Sequence, residues 1–224
     1  MSDRVFHDGV TIRNMEEKDL PVFKNLIIEA FGDGWNFERF DQNTDFFQAL
    51  LEVYQSMFLN SSTFGKVAVL DKKVVGAVLA SVKGEAEKFR HWQKDIPPNT
   101  LALLTAPEAE RKDIVEHLSV SFQTIGQLLE NRIDTYDGSL ELIAVSKHAQ
   151  GLKIGKKLWD EAIAYFNANR IKSIYLIADS ACNIAFYDYN GFSKADEQEA
   201  VYNYVAGQRI SHVFVYEYRF QIKI

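Results

Sequence analysis

The sequence predicts a mixed α/β fold in which a mostly antiparallel sheet is flanked by helices. Three observations carry this expectation. The chain opens with a strand, two helical regions and a hairpin. A buried strand near residue 140 then runs through a glycine-bearing loop into an amphipathic helix. The chain closes on an antiparallel strand pair. With 224 residues, 47% hydrophobic and 25% charged, it can bury a sizeable core, and its length suits one domain.

Each element follows from its residues. Val10–Arg13 reads as a short strand. Asp19 is placed to cap a helix with Leu20, Phe23, Leu26, Ile27 and Ala30 on one face, ended by Gly32-Asp33-Gly34. Residues 36–60 form a second helical region whose apolar side is Phe37, Phe40, Phe47, Leu50, Leu51, Tyr54 and Phe58. Gly65–Leu70 and Val74–Val82 are strands joined by Asp71-Lys72-Lys73, a hairpin with a short turn.

Residues 83–137 read as a helical insertion packed on the core, since neither end has linker composition. Pro97-Pro98-Asn99 breaks the chain there. Thr105-Ala106-Pro107-Glu108 reads as a capping box, and the helix after it places Ile114, Leu118, Phe122, Ile125, Leu129 and Ile133 on one stripe. Leu140–Val145 is a strand, Gly151–Asn169 a helix and Ser173–Ala178 a buried strand. A short helix over 181–190 ends at Gly191. Val201–Val205 and Ser211–Phe220 pair across Ala206-Gly207-Gln208.

Composition narrows the function. A formal charge of −6 argues against nucleic acid as a partner. The one cysteine, Cys182, rules out an intrachain disulfide and implies no oxidising compartment. The first residues carry no apolar run, so a soluble, cytoplasmic protein without a membrane segment is expected. The histidines show no metal-ligand spacing, so no metal is expected.

Two short stretches are the most specific. In the first, Val145 ends a strand, Gln150 stands five residues later and Gly155 five after that, at the mouth of a helix. In the second, Asn183, Ala185, Tyr187, Gly191 and Phe192 lie along a short helix after the next strand. Together, in this order and spacing, they resemble the GNAT N-acetyltransferase superfamily. One departure is plain: Lys153 stands where the family's loop has its middle glycine. The resemblance covers roughly residues 10–82 and 139–220, and it implies a splayed sheet within a single domain spanning 1–224.

The resemblance also implies acetyl-CoA as acetyl donor and a set of site residues. Gln150, Gly151, Leu152, Lys153, Ile154, Gly155 and Lys156 would form the pyrophosphate loop, with main-chain N–H groups at the positive end of a helix. Lys153 either points outward or reaches a phosphate, and Lys156 is open to the same two readings. Ile143, Ala144 and Val145 would offer main-chain groups to the pantetheine arm, as in strand addition. Asn183 would hydrogen-bond that arm, or else cap its helix. Tyr187 would protonate the departing thiolate, or else fill the helix–sheet interface. Glu141, on the face of Ile143 and Val145 by period-two alternation, would be the general base, or else a strand-end carboxylate facing solvent or paired with a lysine.

The implied reaction is transfer of an acetyl group to a primary amine of a small molecule or peptide, by direct attack in a ternary complex. The alternative is a non-catalytic acyl-CoA sensor or scaffold. Acids at Glu29, Asp33, Glu38, Asp41, Asp45 and Glu52, interleaved with Phe31, Trp35, Phe37 and Phe40, suit a cationic amine or merely a solvated face. The 83–137 insertion either covers the acceptor site or forms a homodimer face.

Overall fold

The structure, a computed structural model, describes residues 4–5, 9–35, 37–92 and 100–221. Its strands are β1 (Arg4–Val5), β2 (Thr11–Asn14), β3 (Phe64–Leu70), β4 (Lys73–Val82), β5 (Gly138–Val145), β6 (Ser173–Asp179), β7 (Ser193–Tyr204) and β8 (Gly207–Arg219). Its helices are α1 (Leu20–Phe31), α2 (Asp45–Asn60), α3 (Thr100–Thr105), α4 (Glu108–Leu129), α5 (Ile154–Ala168) and α6 (Ile184–Tyr189). This is the mixed α/β, mostly antiparallel architecture that the sequence predicts. The Pro97-Pro98-Asn99 break lies outside the described residues.

The chain divides into two compact units. The described residues of 1–30, 51–95 and 138–171 form the first, and those of 31–50, 96–137 and 172–224 the second.

In the first unit β1 to β5 pair in sequence order, each antiparallel to the next. The β3–β4 turn is built from Asp71 and Lys72, both left-handed at φ 48° and 64°, the backbone that a two-residue hairpin demands. Helix α5 lies on this sheet through Ile154, Leu158, Ala162 and Phe166, all essentially inaccessible. Asp19 does not cap α1. It belongs to a single turn over Glu17–Asp19, where its carboxylate accepts the Glu16 N–H at 2.9 Å and two bonds from Arg13 at 2.7 Å each. Burial disfavours its charge, yet the bonds from Arg13 and Glu16 outweigh this and hold the carboxyl below its ordinary value.

In the second unit β6, β8 and β7 pair antiparallel in that order. β7 begins at Ser193, and the hairpin turn falls at Val205-Ala206, earlier than the sequence suggests. Helix α4 packs on β7 and β8, burying Leu128, Leu129, Ala200, Val213 and Val215.

Three expectations fail in helix geometry. The capping box at Thr105 does not form: Thr105 closes α3, and Pro107 takes the N-cap of α4 with no side-chain cap bond. The α4 stripe is rotated. Phe122 is 53% exposed and Ile133 40%, while Asp113, His117 and Thr124 are buried. Polar groups with tertiary partners hold the inner face, so apolar periodicity misplaces it. Finally, α5 begins at Ile154 rather than Gly151, because Gly151 (φ 85°) and Lys153 (φ 55°) are left-handed and cannot propagate a right-handed helix.

Candidate functional site

The first unit carries the loop between β5 and α5. Ser146 N–H closes the strand on the Val75 carbonyl at 2.9 Å, and Lys147 N–H is held by the Glu29 carboxylate at 2.7 Å. One tight turn follows over Lys147–Ala149, with Ala149 buried beneath it. His148, Gln150, Gly151, Leu152 and Lys153 are exposed. Lys153 holds the N-cap position of α5 without a side-chain cap bond, and the first backbone bond into the helix is Lys157 N–H to the Lys153 carbonyl at 3.1 Å. The N–H groups of Ile154, Gly155 and Lys156 therefore precede the intrahelical ladder. They form the positive end of a 15-residue helix, suited to an anion. The Lys156 ammonium is taken by Asp160, one turn along the helix.

β5 presents its backbone unevenly. The Ser146–Val75 bond makes 146/75 a hydrogen-bonded pair, so by alternation Ala144 also turns its main-chain groups to β4, opposite Ala77. Ile143 and Val145 turn theirs to the other edge. Of the three residues expected to offer main-chain groups, two face away from β4 and Ala144 does not.

Glu141 sits at a bulge. Leu142 pairs with Leu79 and Leu140 with Ala80, so Glu141 is the extra residue of β5. The bulge breaks the period-two alternation, and the expectation that Glu141 shares a face with Ile143 and Val145 fails. Ile143 lies opposite Val78, whereas the Glu141 carboxylate reaches Ser81 and Ser139, which lie opposite one another. Oε1 accepts from Ser81 Oγ at 2.8 Å and from Ser139 Oγ at 2.5 Å, and the two hydroxyls are 2.7 Å apart. Glu141 is thus a part-buried carboxylate held by two serine hydroxyls, and among the described residues it forms no salt bridge with a lysine. The two serines escaped the sequence reading because their convergence depends on strand register.

The second unit carries α6. Asn183 holds its N-cap position but makes no side-chain cap bond. Gly191, at φ 87°, ends it, with Phe192 N–H returning to the Tyr187 carbonyl at 3.1 Å. The Tyr187 ring lies among Phe186, Phe192 and Tyr216 at 5.6–5.8 Å between centroids. Burial pushes its phenol above the ordinary value, and the neighbouring Cys182 and Asp179 add to this. The Cys182 thiol is pushed up to about 12 by burial and then by Asp179. Burial thus works against any lowering of its pKa by the start of α6. Asp179, at the end of β6, also accepts Ala181 N–H at 2.9 Å. A side chain on Gly34 would press within 3.2 Å of its carboxylate.

The acids expected to line an acceptor wall are largely engaged. Glu29 holds Lys147 N–H, Glu52 pairs with Lys24 at 3.0 Å, and Asp41 accepts the Asn43 N–H at 3.0 Å. Among the described residues no group of three His, Cys, Asp or Glu side chains is arranged for a metal, and no helix is long and apolar enough to cross a membrane.

The family model for the acetyltransferase (GNAT) family matches residues 20–192. No curated protein sequence matches the chain. Solved structures of similar fold include an agmatine N-acetyltransferase variant in its apo form (13% identity, TM-score 0.57, covering 95% of this chain and all of that one). A histone-acetyltransferase-related protein from Corynebacterium glutamicum is 16% identical, with TM-score 0.53 and coverage of 96% and 99%. A ribosomal-protein-alanine N-acetyltransferase from Brucella melitensis is 16% identical, with TM-score 0.50 and coverage of 93% and 99%. At such identities the likeness is one of fold.

Proposed function

From the premise that this chain belongs to the GNAT acetyltransferase family, and is therefore an acyltransferase, we propose that it moves an acetyl group from acetyl-CoA to a primary amine. The acceptor is a small molecule or a peptide, attacked directly in a ternary complex, and residues 1–224 act as one domain. The observation that carries the reading is the β5–loop–α5 segment, where three N–H groups at a helix mouth lie beyond two left-handed residues.

In this reading Gln150, Gly151, Leu152, Lys153, Ile154, Gly155 and Lys156 wrap the pyrophosphate. Individual dipole and N–H contributions are modest, roughly 0.3–1 kcal/mol at exposed sites, so several act together. Ile143 and Val145 hydrogen-bond the pantetheine arm by strand addition, and Asn183 adds a side-chain contact. The extra residue at Glu141 distorts the ladder beside them, where an unpaired N–H can receive the thioester oxygen as it gains charge. The neutral amine attacks the carbonyl carbon, the new C–N bond forms, and Glu141 accepts the proton that nitrogen sheds. The C–S bond then breaks, and Tyr187 gives its phenolic proton to the leaving sulfur. Burial keeps this phenol protonated, so the proton it would give is present.

The agmatine and ribosomal-protein enzymes of like fold act on amines by their names, which agrees with an amine acceptor here. One observation favours a second reading, a non-catalytic acyl-CoA sensor: Lys153 occupies a left-handed position that glycine fills more easily. Calorimetric titration of acetyl-CoA into wild type and Gly155→Glu tests the first reading. Binding by wild type that the variant loses, with acetyl transfer in an amine screen, is the expected result. Binding without transfer to any amine would leave the sensor. No binding by wild type would defeat both.

A further inference from the structure

Two hydroxyls of the first unit serve a single carboxylate oxygen. Ser81 of β4 and Ser139 of β5 lie directly opposite one another, and the strands close tightly beside them. Gly138 permits this: a Cβ there would fall 2.3 Å from the Ser81 carbonyl oxygen. The two Oγ atoms meet at 2.7 Å. Glu141, the extra residue of the bulge, has no partner of its own on β4. Its Oε1 accepts from Ser139 at 2.5 Å and from Ser81 at 2.8 Å.

Neither hydroxyl has a second task. Among the described residues, Ser81 Oγ and Ser139 Oγ bond only to each other and to Glu141. Ser139 is 5% exposed, while Ser81 and Glu141 are half-buried. Setting a hydroxyl on a buried strand position costs desolvation, and a bond to a charged oxygen offsets that cost better than a neutral one.

The two oxygens of Glu141 are thereby made unequal. Oε1 carries two donated bonds, and Oε2 carries none among the described residues. A carboxylate held by one oxygen keeps its plane and leaves the lone pairs of the other for an incoming proton. A free glutamate side chain has several staggered rotamers and would swing the acceptor atom by more than an ångström. Misplacement by about 1 Å can cost about 10²-fold in rate.

We propose that Ser81 and Ser139 are positioning residues for acetyl transfer: they fix Glu141 by Oε1 so that Oε2 meets the attacking amine. This rests on the acetyltransferase reading, in which Glu141 is the base. As the C–N bond forms, the nitrogen's proton passes to Oε2, and neither serine gains or loses a proton. The sulfur still leaves with the proton of Tyr187.

The test follows CoA release from acetyl-CoA with a panel of primary amines that includes agmatine and a peptide beginning with alanine, and uses the fastest. Ser81→Ala and Ser139→Ala are each expected to lower kcat by about 10- to 100-fold, the worth of a hydrogen bond to a charged group. KM for acetyl-CoA and the urea midpoint should change little. Ser81→Thr keeps the hydroxyl on a residue suited to strands, and should recover most of the rate lost in Ser81→Ala. Glu141→Gln sets the floor, a loss of about 10²–10⁴-fold, and adding either alanine to it should slow the reaction no further. Unchanged kcat in both alanine variants overturns the proposal while leaving acetyl transfer intact. So does a threonine variant as slow as the alanine, or an alanine loss that persists in full beside Glu141→Gln. A wild type that releases CoA with no amine of the panel ends the enzyme reading and this assignment together.

Discussion

His117 Nδ1 and the Tyr204 hydroxyl stand 2.8 Å apart in a buried hydrogen bond, and the imidazole lies nearly parallel to both Tyr202 and Tyr204. Burial, then the charge of Arg209, lowers the His117 pKa to about 4 from its ordinary 6.5. The folded state thus refuses a proton that the unfolded chain accepts. The stability involved is complete above pH 6.5 and is lost as pH falls toward 4, by roughly 3 kcal/mol. Urea titrations at pH 7, 5.5 and 4.5 should show this decline, and His117→Gln should flatten it. Asp19 acts lower on the scale. Its depressed carboxyl adds stability that is present above 3.8 and lost as pH falls through the folded value.

Lys66 is a buried cation without a hydrogen bond among the described residues. Its side chain is 1% exposed, and its ammonium lies 3.9 Å from the Glu161 carboxylate of α5. Removing the acid alone strands the charge. Glu161→Leu should cost about 3–5 kcal/mol, and Lys66→Met added to it should recover most of that loss. A double-mutant cycle read by chemical denaturation checks this. Equal and additive losses would show that the two charges do not interact.

The proposed donor role of Tyr187 has a sharp kinetic signature. Tyr187→Phe keeps the ring contacts to Phe186, Phe192 and Tyr216 and removes only the hydroxyl. CoA release should slow by about 10²–10³-fold, with acetyl-CoA affinity changed little. The raised pKa also keeps the phenol protonated throughout the neutral range, so Tyr187 should set no ionisation limb of the rate profile near pH 7. Unchanged turnover in the variant would assign the proton to another donor.

Lys153 bears a side chain at φ 55°, ψ 23°, a conformation that costs non-glycine residues about 1–2 kcal/mol. Lys153→Gly should relieve part of that strain and raise the melting temperature by about 2–4 °C. Acetyl-CoA titrations on the same variant would show whether the lysine also contributes to binding. Loss of affinity alongside the stability gain would mark Lys153 as a phosphate contact.

What the sequence disclosed was local. The hairpin at Asp71-Lys72-Lys73, the strand into the Gln150–Gly155 loop, and the stop at Gly191 each carry their cause within a few residues. What it hid was non-local. Nothing in Leu140-Glu141-Leu142 announces an extra residue, because a bulge is defined by the partner strand. Asp113 and His117 looked like solvent positions on α4, since their partners Arg39 and Tyr204 are remote in sequence. Ser193–Glu199 is polar and precedes the strand expected from Val201, yet it pairs along β8 as the start of β7. Arg209 carried no signal until the strand register set it beside Tyr202.

The bulge has a consequence for tolerance to change. β5 is two short strands, each in register with one continuous run of β4, spliced at one extra residue. A deletion of Glu141 would restore a regular ladder in which Leu140 and Leu142 keep Ala80 and Leu79 as partners and every remaining side chain keeps its face. Substitutions at 141 test a carboxylate, whereas a one-codon deletion there would test the bulge itself, leaving Ser81 and Ser139 facing each other without it.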